Sequence, residues 1–165
     1  MSYAASILPE FEQEMANTRK VLNQVPDALF NWKAHERSNT IGWNANHLAE
    51  IVGWVEGTFA RPKWDIAGYE SPKLTSTTDV LALFDQNLAS ACTAIQNVQE
   101  SSLTEIWSLT NGDQTLMSMP RSAVIRTFVL SHTIHHRAHL CVYLRLNDIP
   151  VPGMYGPSGD EGLFA

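Results

Sequence analysis

Four of the six histidines in this chain lie within eight residues, from His132 to His139. On an α-helix turning about 100° per residue, with His132 at 0°, His135, His136 and His139 fall at roughly 300°, 40° and 340°. All four therefore share one face, which also carries an apolar stripe. A buried cluster of imidazoles typically holds a cation, so this segment predicts a divalent metal site. The stripe consists of Ile125, Phe128, Val129, Tyr143 and Leu146.

The cluster contains two pairs with the spacing of one helical turn, His132 with His136 and His135 with His139. Two imidazoles four residues apart project from the same side and can share one ion, as in helical zinc motifs. His132 and His139 lie about 10.5 Å apart along the helix axis, too far to share an ion. The spacing alone leaves open which pair binds.

A third ligand is expected from another helix, and His47 is the candidate. It lies on a core-facing stripe that includes Trp43 and Trp54, which we interpret as walls of a pocket together with Tyr143. Glu50 lies one turn after His47, where it could orient the imidazole or accept a proton; the alternative is a glutamate at the core boundary with its carboxylate in solvent.

Four helical segments must position these residues. Periodic apolar positions, N-cap residues and prolines predict them from about Leu8 to Leu22, from Ile41 to Phe59, after Thr77-Thr78-Asp79, and from Met119-Pro120 to about Leu146. The sequence Asn111-Gly112 between two short β-like runs predicts a small hairpin before the last helix. Residues 63–76 are interpreted as a loop. We expect one all-α domain over residues 1–165, a four-helix bundle with long crossover loops.

Composition restricts the partners. The net charge is −6, and the absence of a Lys/Arg stripe argues against nucleic acid. No apolar stretch is long enough to span a membrane and no secretory signal is recognisable, so we expect a cytoplasmic protein.

Cys92 and Cys141 are interpreted as small buried hydrophobes, and His35 as a surface residue. A second apolar strip on the last helix favours a homodimer; it comprises Leu130, Ile134, Cys141 and Leu144.

Three segments resemble the DinB-like (DinB/YfiT-like) family in their order and spacing, and the resemblance covers nearly the whole chain. They are Ile41-Gly-Trp-Asn-Ala-Asn-His47-Leu, the segment from His132 to Arg145, and Pro150-Val-Pro-Gly-Met-Tyr155-Gly-Pro-Ser-Gly-Asp-Glu161. The resemblance implies a four-helix bundle, often dimeric, with a divalent metal on His47, His132 and His136. Where the family more often has glycine and glutamine, this chain has Ala138 and His139. His139 is therefore retained as a candidate catalytic residue beside Glu50.

Characterised relatives of this family include S-transferases that use bacillithiol and a mycothiol-dependent maleylpyruvate isomerase. The resemblance thus implies a metal-dependent enzyme that uses a low-molecular-weight thiol to conjugate or isomerise small electrophiles. The alternatives are a hydrolase that uses metal-bound hydroxide and a non-catalytic, stress-related ligand-binding module, since a shared fold does not fix a function. Zinc or nickel is the expected ion, with iron or manganese as alternatives; imidazole ligands do not select one of them.

Overall fold

The computed structural model describes residues 2–162, in which four long helical segments pack into a bundle. Three of them are regular α-helices. They are α1 (Tyr3–Leu22), α2 (Ile41–Ala60) and α3 (Thr77–Asn97). The fourth is continuous and has three parts. These are α4 (Arg121–Ala123), a π-helical segment (Val124–Ser131) and α5 (His132–Arg145). The four-helix architecture expected from the sequence is confirmed.

A small sheet lies between α2 and the fourth helix in chain order, so "all-α" describes the fold only approximately. Its strands are β1 (Lys63–Asp65), β2 (Ile106–Asn111) and β3 (Gln114–Pro120). The expected hairpin is β2–β3, which turns at Gly112 with a φ of 58°. Residues 63–76 were expected to be a loop, but they begin with β1, which pairs parallel with β2. A three-residue strand is too short for a detectable period of two.

The starts of three helices differ from the expectation. Helix α3 was expected after Thr77-Thr78-Asp79, but it begins at Thr77, where the Ser76 side chain caps it by accepting a hydrogen bond from the Asp79 amide at 3.1 Å. Helix α1 begins at Tyr3, where the Ser2 side chain caps it by accepting a hydrogen bond from the Ala5 amide at 3.1 Å, and it contains Pro9. The fourth helix begins at Arg121, because Met119 and Pro120 still belong to β3 and Pro120 is the N-cap. Apolar periodicity marks the buried turns of a helix and misses terminal turns that bury little.

The face that α5 buries also differs from the expectation. Thr133, Leu140 and Leu144 are fully buried and Arg137 is 2% exposed. His132 and His136 lie half-buried at the edge of this face, whereas His135 and His139 are exposed. The expectation that all four histidines face the core is therefore wrong for two of them. Arg137 occupies the core position because it has a buried anionic partner on α1.

That partner is Glu14, and the two form a buried ion pair. The Arg137 guanidinium donates to the Glu14 carboxylate at 2.6 Å, to the Glu14 carbonyl at 2.8 Å and to Thr18 Oγ1 at 3.2 Å. It also donates to the hydroxyl of Tyr155, which in turn donates to the Glu14 carboxylate at 2.9 Å. The amide of Asn17 donates to the Met154 carbonyl at 3.3 Å. This network fixes the turn-rich C-terminal segment against α1 and α5.

Three of the four residues in the second apolar strip of the fourth helix pack within the chain, and the other one, Ile134, is half-buried. Leu130 and Leu144 belong to the bundle core, and Cys141 packs against it half-buried. The strip therefore does not require a second copy, and the homodimer stays a prediction. Cys92 is also half-buried against the core, and burial raises the pKa of both thiols, as expected of inert cysteines. None of the helices in residues 2–162 is long and apolar enough to cross a membrane.

Candidate metal centre

Helices α2 and α5 bring His47, His132 and His136 together. One ring nitrogen from each lies within 4.8 Å of the corresponding nitrogens of the other two. The Nε2 atoms of His132 and His136 are 2.9 Å apart. The ring of His47 lies edge-on to both, with centroids 5.1 Å from His132 and 4.7 Å from His136. Among the described residues, this is the group that could hold a metal ion.

Hydrogen bonds on the far side of two rings fix which nitrogen faces the centre. The Asn44 amide donates its N–H to the Thr40 carbonyl at 3.2 Å, so its oxygen faces Nδ1 of His136 at 3.1 Å. Nδ1 of His47 lies 3.1 Å from the carboxylate of Glu50, which can only accept. Both Nδ1 atoms therefore carry the hydrogen. The Nε2 atoms of His47 and His136 keep their lone pairs for a ligand at the centre.

The third ring has no such support. Nδ1 of His132 is buried near the Phe128 carbonyl and makes no hydrogen bond of normal geometry. Its Nε2 lies 2.9 Å from the His136 Nε2, which carries no hydrogen, so in the metal-free pair the His132 Nε2–H can donate to that lone pair. A cation bound between the two nitrogens would replace this hydrogen. The residues present thus fit a divalent ion held by three imidazoles.

The environment keeps the imidazoles of His132 and His136 uncharged. Burial, followed by the neighbouring His47, lowers the pKa of His136 to about 3. Burial and His47 also lower the pKa of His132. Because both values lie below the ordinary 6.5, the two rings are neutral at physiological pH and no bound proton competes with a metal ion. Because imidazoles bind a metal in their neutral form, such a ligand set would leave the full positive charge of a divalent ion available to a further ligand.

Glu50 is held in place by several groups. Burial alone would raise the pKa of its carboxyl, but hydrogen bonds from His47, Tyr69 and Ser71 outweigh burial and lower it. The Ser71 hydroxyl donates to Oε1 at 3.1 Å while Oε2 faces His47. With both oxygens occupied, Glu50 orients the His47 ring. It is 5% exposed, so the alternative of a carboxylate in solvent is wrong.

Ser71 reaches Glu50 because Asn46 clamps the loop that carries it. The Asn46 amide donates to the Leu74 carbonyl and accepts from the Leu74 amide, both at 2.9 Å. Sequence reasoning missed Asn44, Asn46 and Ser71. The signal for the first two was available, since two amides on an otherwise apolar helix face must have partners when buried.

Aromatic rings frame the three histidines. Trp43 stacks on His47 with centroids 4.6 Å apart, and Trp54 lies edge-on to His47 at 5.5 Å. Trp54 also stacks on Phe128 at 5.0 Å. Trp54 lines the cleft beside His47, as predicted. Trp43 packs on His47 without lining that cleft, and Tyr143 lies farther along α5, where it contacts Trp32, so the prediction that these two form its walls is wrong.

A cleft of about 330 Å³ opens beside His47. Aromatic and apolar side chains form most of its wall, and Glu50 is its buried carboxylate. This composition is typical of a small-molecule site. The cleft is lined by His47, Glu50, Trp54, Trp64, Ile66, Tyr69, Ser71, Leu109 and Phe128.

The other histidines lie outside the three-histidine group. His139 is exposed, and its ring centroid lies 6.0 Å from that of His136 and 4.3 Å from that of His135. His35 is exposed, as expected. The catalytic roles suggested for Glu50 and His139 stay predictions; the structure shows the first beside His47 and the second on the surface.

Removing the Glu50 carboxylate is expected to weaken metal binding. Partners of ligating histidines typically contribute 10–100-fold to metal affinity, so we expect Glu50→Ala to raise the Kd for zinc by about that factor. Competition with a chromogenic chelator would measure it. The control is Glu56→Ala, an exposed carboxylate on the same helix, which should leave the Kd unchanged. Equal affinity of Glu50→Ala and wild type would show that this carboxylate does not orient the ligand.

Comparison with known proteins identifies the family. The chain is 26% identical over 166 residues to the uncharacterized protein YrdA of Bacillus subtilis (strain 168), covering 93% of this chain and 89% of the relative. Its fold is similar to two crystal structures, each of a DinB-like protein. The one from Bacillus cereus ATCC 10987 has a TM-score of 0.68 and 22% identity, over 90% of this chain and 95% of the other. The B. subtilis protein YjoA has a TM-score of 0.72 and 14% identity, over 93% and 99%. The DinB superfamily model matches residues 10–140, and the chain belongs to this superfamily.

Proposed function

We propose that this protein is a metal-dependent enzyme that uses a low-molecular-weight thiol to conjugate or isomerise small electrophiles. The observation that carries the proposal is a set of three imidazoles beside a cleft, with one ring nitrogen of each within 4.8 Å of the other two. A divalent ion held by such a set lowers the pKa of a coordinated thiol and retains open coordination positions. Zinc and nickel are the ions we propose.

Residues around the three histidines support this chemistry by orienting the ligand rings and by forming an apolar wall beside them. Asn44 and Glu50 hold two ligand rings in the required tautomer. Trp54 and Phe128 form an apolar wall that excludes water and strengthens charge interactions in the cleft. A small electrophile that enters the cleft would lie against this wall, within reach of the histidine group.

A hydrolase that uses Glu50 as general base is less well supported. Both carboxylate oxygens already accept hydrogen bonds and its pKa is lowered, whereas a general base works best with a pKa near the operating pH. The structure gives no specific observation in favour of hydrolysis over thiol transfer.

The test is turnover with defined thiols and electrophiles. Protein loaded with zinc or nickel would be incubated with cysteine, bacillithiol or mycothiol and either 1-chloro-2,4-dinitrobenzene or maleylpyruvate. We expect a rate that requires both the metal and one of the thiols, and that is lost in His132→Ala. Equal rates with and without metal for every thiol would refute the proposal. Turnover of ester substrates without any thiol would favour the hydrolase.

A further inference from the structure

A second, larger cleft adjoins the one beside His47. It encloses about 450 Å³ and shares four lining residues with the first, namely Glu50, Trp54, Trp64 and Tyr69. The shared residues make the two clefts neighbouring compartments of one site. A molecule that reacts near the three histidines can therefore place a second part of itself in the larger compartment.

Four of the twelve residues that line this compartment are aromatic, namely Trp54, Trp64, Tyr69 and Trp107. Trp64 lies edge-on to Trp54 at 5.7 Å and to Tyr69 at 5.0 Å. Trp107, on β2, also lines the cleft and is 1% exposed. Aromatic faces and edges attract a flat ring in stacked or edge-on geometry. The compartment is thus suited to an aromatic group.

Two glycines of α2 line this compartment, and only Gly57 leaves space in it for a ligand. A Cβ atom at Gly53 would lie 3.0 Å from the Asn87 side chain, so Gly53 permits the close approach of α3. A Cβ atom at Gly57 would meet nothing within 4 Å, although Gly57 lines the cleft. A side chain at position 57 would therefore extend into empty space inside the compartment.

The polar groups at this site indicate what the ring carries. The Asn87 amide donates to the Ala49 carbonyl at 2.9 Å, while its oxygen accepts no hydrogen bond from the described residues. Arg61 also lines the cleft and forms no ion pair within residues 2–162. The carboxylates of Glu50 and Glu56 also line the cleft and can only accept. A hydroxyl group can donate to the Asn87 oxygen or to one of these carboxylates, and can accept from the Arg61 guanidinium, whereas an ether can only accept.

We infer that this compartment binds an aromatic ring bearing a hydroxyl group, as part of the electrophilic substrate. The assignment of the ring to a substrate rests on the proposed function, whereas the binding of such a ring by the compartment is independent of that function. The inference extends the site from the histidines to the space among α2, α3 and the sheet.

The experiment is calorimetric titration of the metal-free full-length protein with 2-naphthol. We expect saturable binding of one equivalent. Gly57→Leu should weaken it at least about tenfold, because the new side chain fills the compartment. The matched control, Gly57→Ala, should bind within about threefold of wild type. Trp64→Ala, which removes a wall instead of filling the space, should also weaken binding, and circular dichroism would verify that each variant is folded.

A second ligand tests the hydroxyl group. 2-Methoxynaphthalene cannot donate a hydrogen bond, so we expect it to bind about threefold to tenfold more weakly than 2-naphthol. Absence of 2-naphthol binding, or equal affinity in wild type, Gly57→Leu and Trp64→Ala, would overturn the inference. Equal affinity for both ligands would overturn its hydroxyl component. Because no metal or thiol is present, these outcomes are independent of whether thiol turnover is found.

Discussion

Replacing His136 with alanine is expected to eliminate stoichiometric metal binding. Wild-type protein purified without added metal should retain close to one divalent ion per chain, and the variant close to none. Structural zinc sites gain about 10–16 kcal/mol from four ligands, so one lost imidazole costs roughly 3 kcal/mol, or a factor of more than about 100 in affinity. Elemental analysis would measure the metal content.

The neighbouring residue provides the control. His135 is exposed on the same turn of α5 and lies outside the three-histidine group. His135→Ala should therefore keep the ion, although it removes the same kind of side chain one residue away. If both variants lose the metal, or neither does, His47, His132 and His136 are not the ligand set.

Replacing Arg137 with alanine is expected to cause the largest loss of stability. The change leaves the buried carboxyl group of Glu14 without its guanidinium partner, a situation that typically costs 3–5 kcal/mol. It also removes one of the hydrogen bonds that hold the C-terminal segment, the one to the Tyr155 hydroxyl. For a domain of this size, 1 kcal/mol corresponds to about 2–4 °C in Tm. We expect Tm to fall by roughly 6–20 °C in a calorimetric or circular dichroism melt.

A second ion pair joins the same two helices at the surface and serves as the control. Arg126 pairs with Glu10, and their side chains are 56% and 42% exposed. Exposed pairs contribute about 0–1 kcal/mol, so Arg126→Ala should lower Tm by no more than about 4 °C. Similar Tm values for the two variants would show that the buried Arg137–Glu14 pair stabilises the fold no more than the exposed pair does.

The sequence predicted the parts of the fold that produce strong local signals. Helix α2 begins at Ile41 as predicted, because Thr40 is a good N-cap and the buried positions that follow are periodic. The β2–β3 hairpin follows from Asn111-Gly112, since glycine at this turn adopts a positive φ. Strand β1 could not be predicted, because its three residues are defined by pairing with β2, a partner more than forty residues away.

For the candidate site, the sequence predicted the three histidines but not the residues that orient them. The spacing of histidines gave two alternative pairs, and the family resemblance selected His132 and His136, which lie beside His47 in the structure. Periodicity could not show that His139 is exposed. The buried face of α5 includes Arg137, because Arg137 pairs with Glu14 on α1, a helix distant in sequence, and His139 therefore lies outside that face. The same holds for Asn44, whose partner His136 lies 92 residues away.

The π-helical segment Val124–Ser131 sets the direction in which the ligand histidines project. A π-helical turn contains more residues than an α-helical turn, because its hydrogen bonds join residues five apart instead of four. Deleting a residue here would rotate His132 and His136 by about 100° around the helix axis relative to α2. The register of the ligands therefore depends on chain length upstream as much as on the histidines themselves.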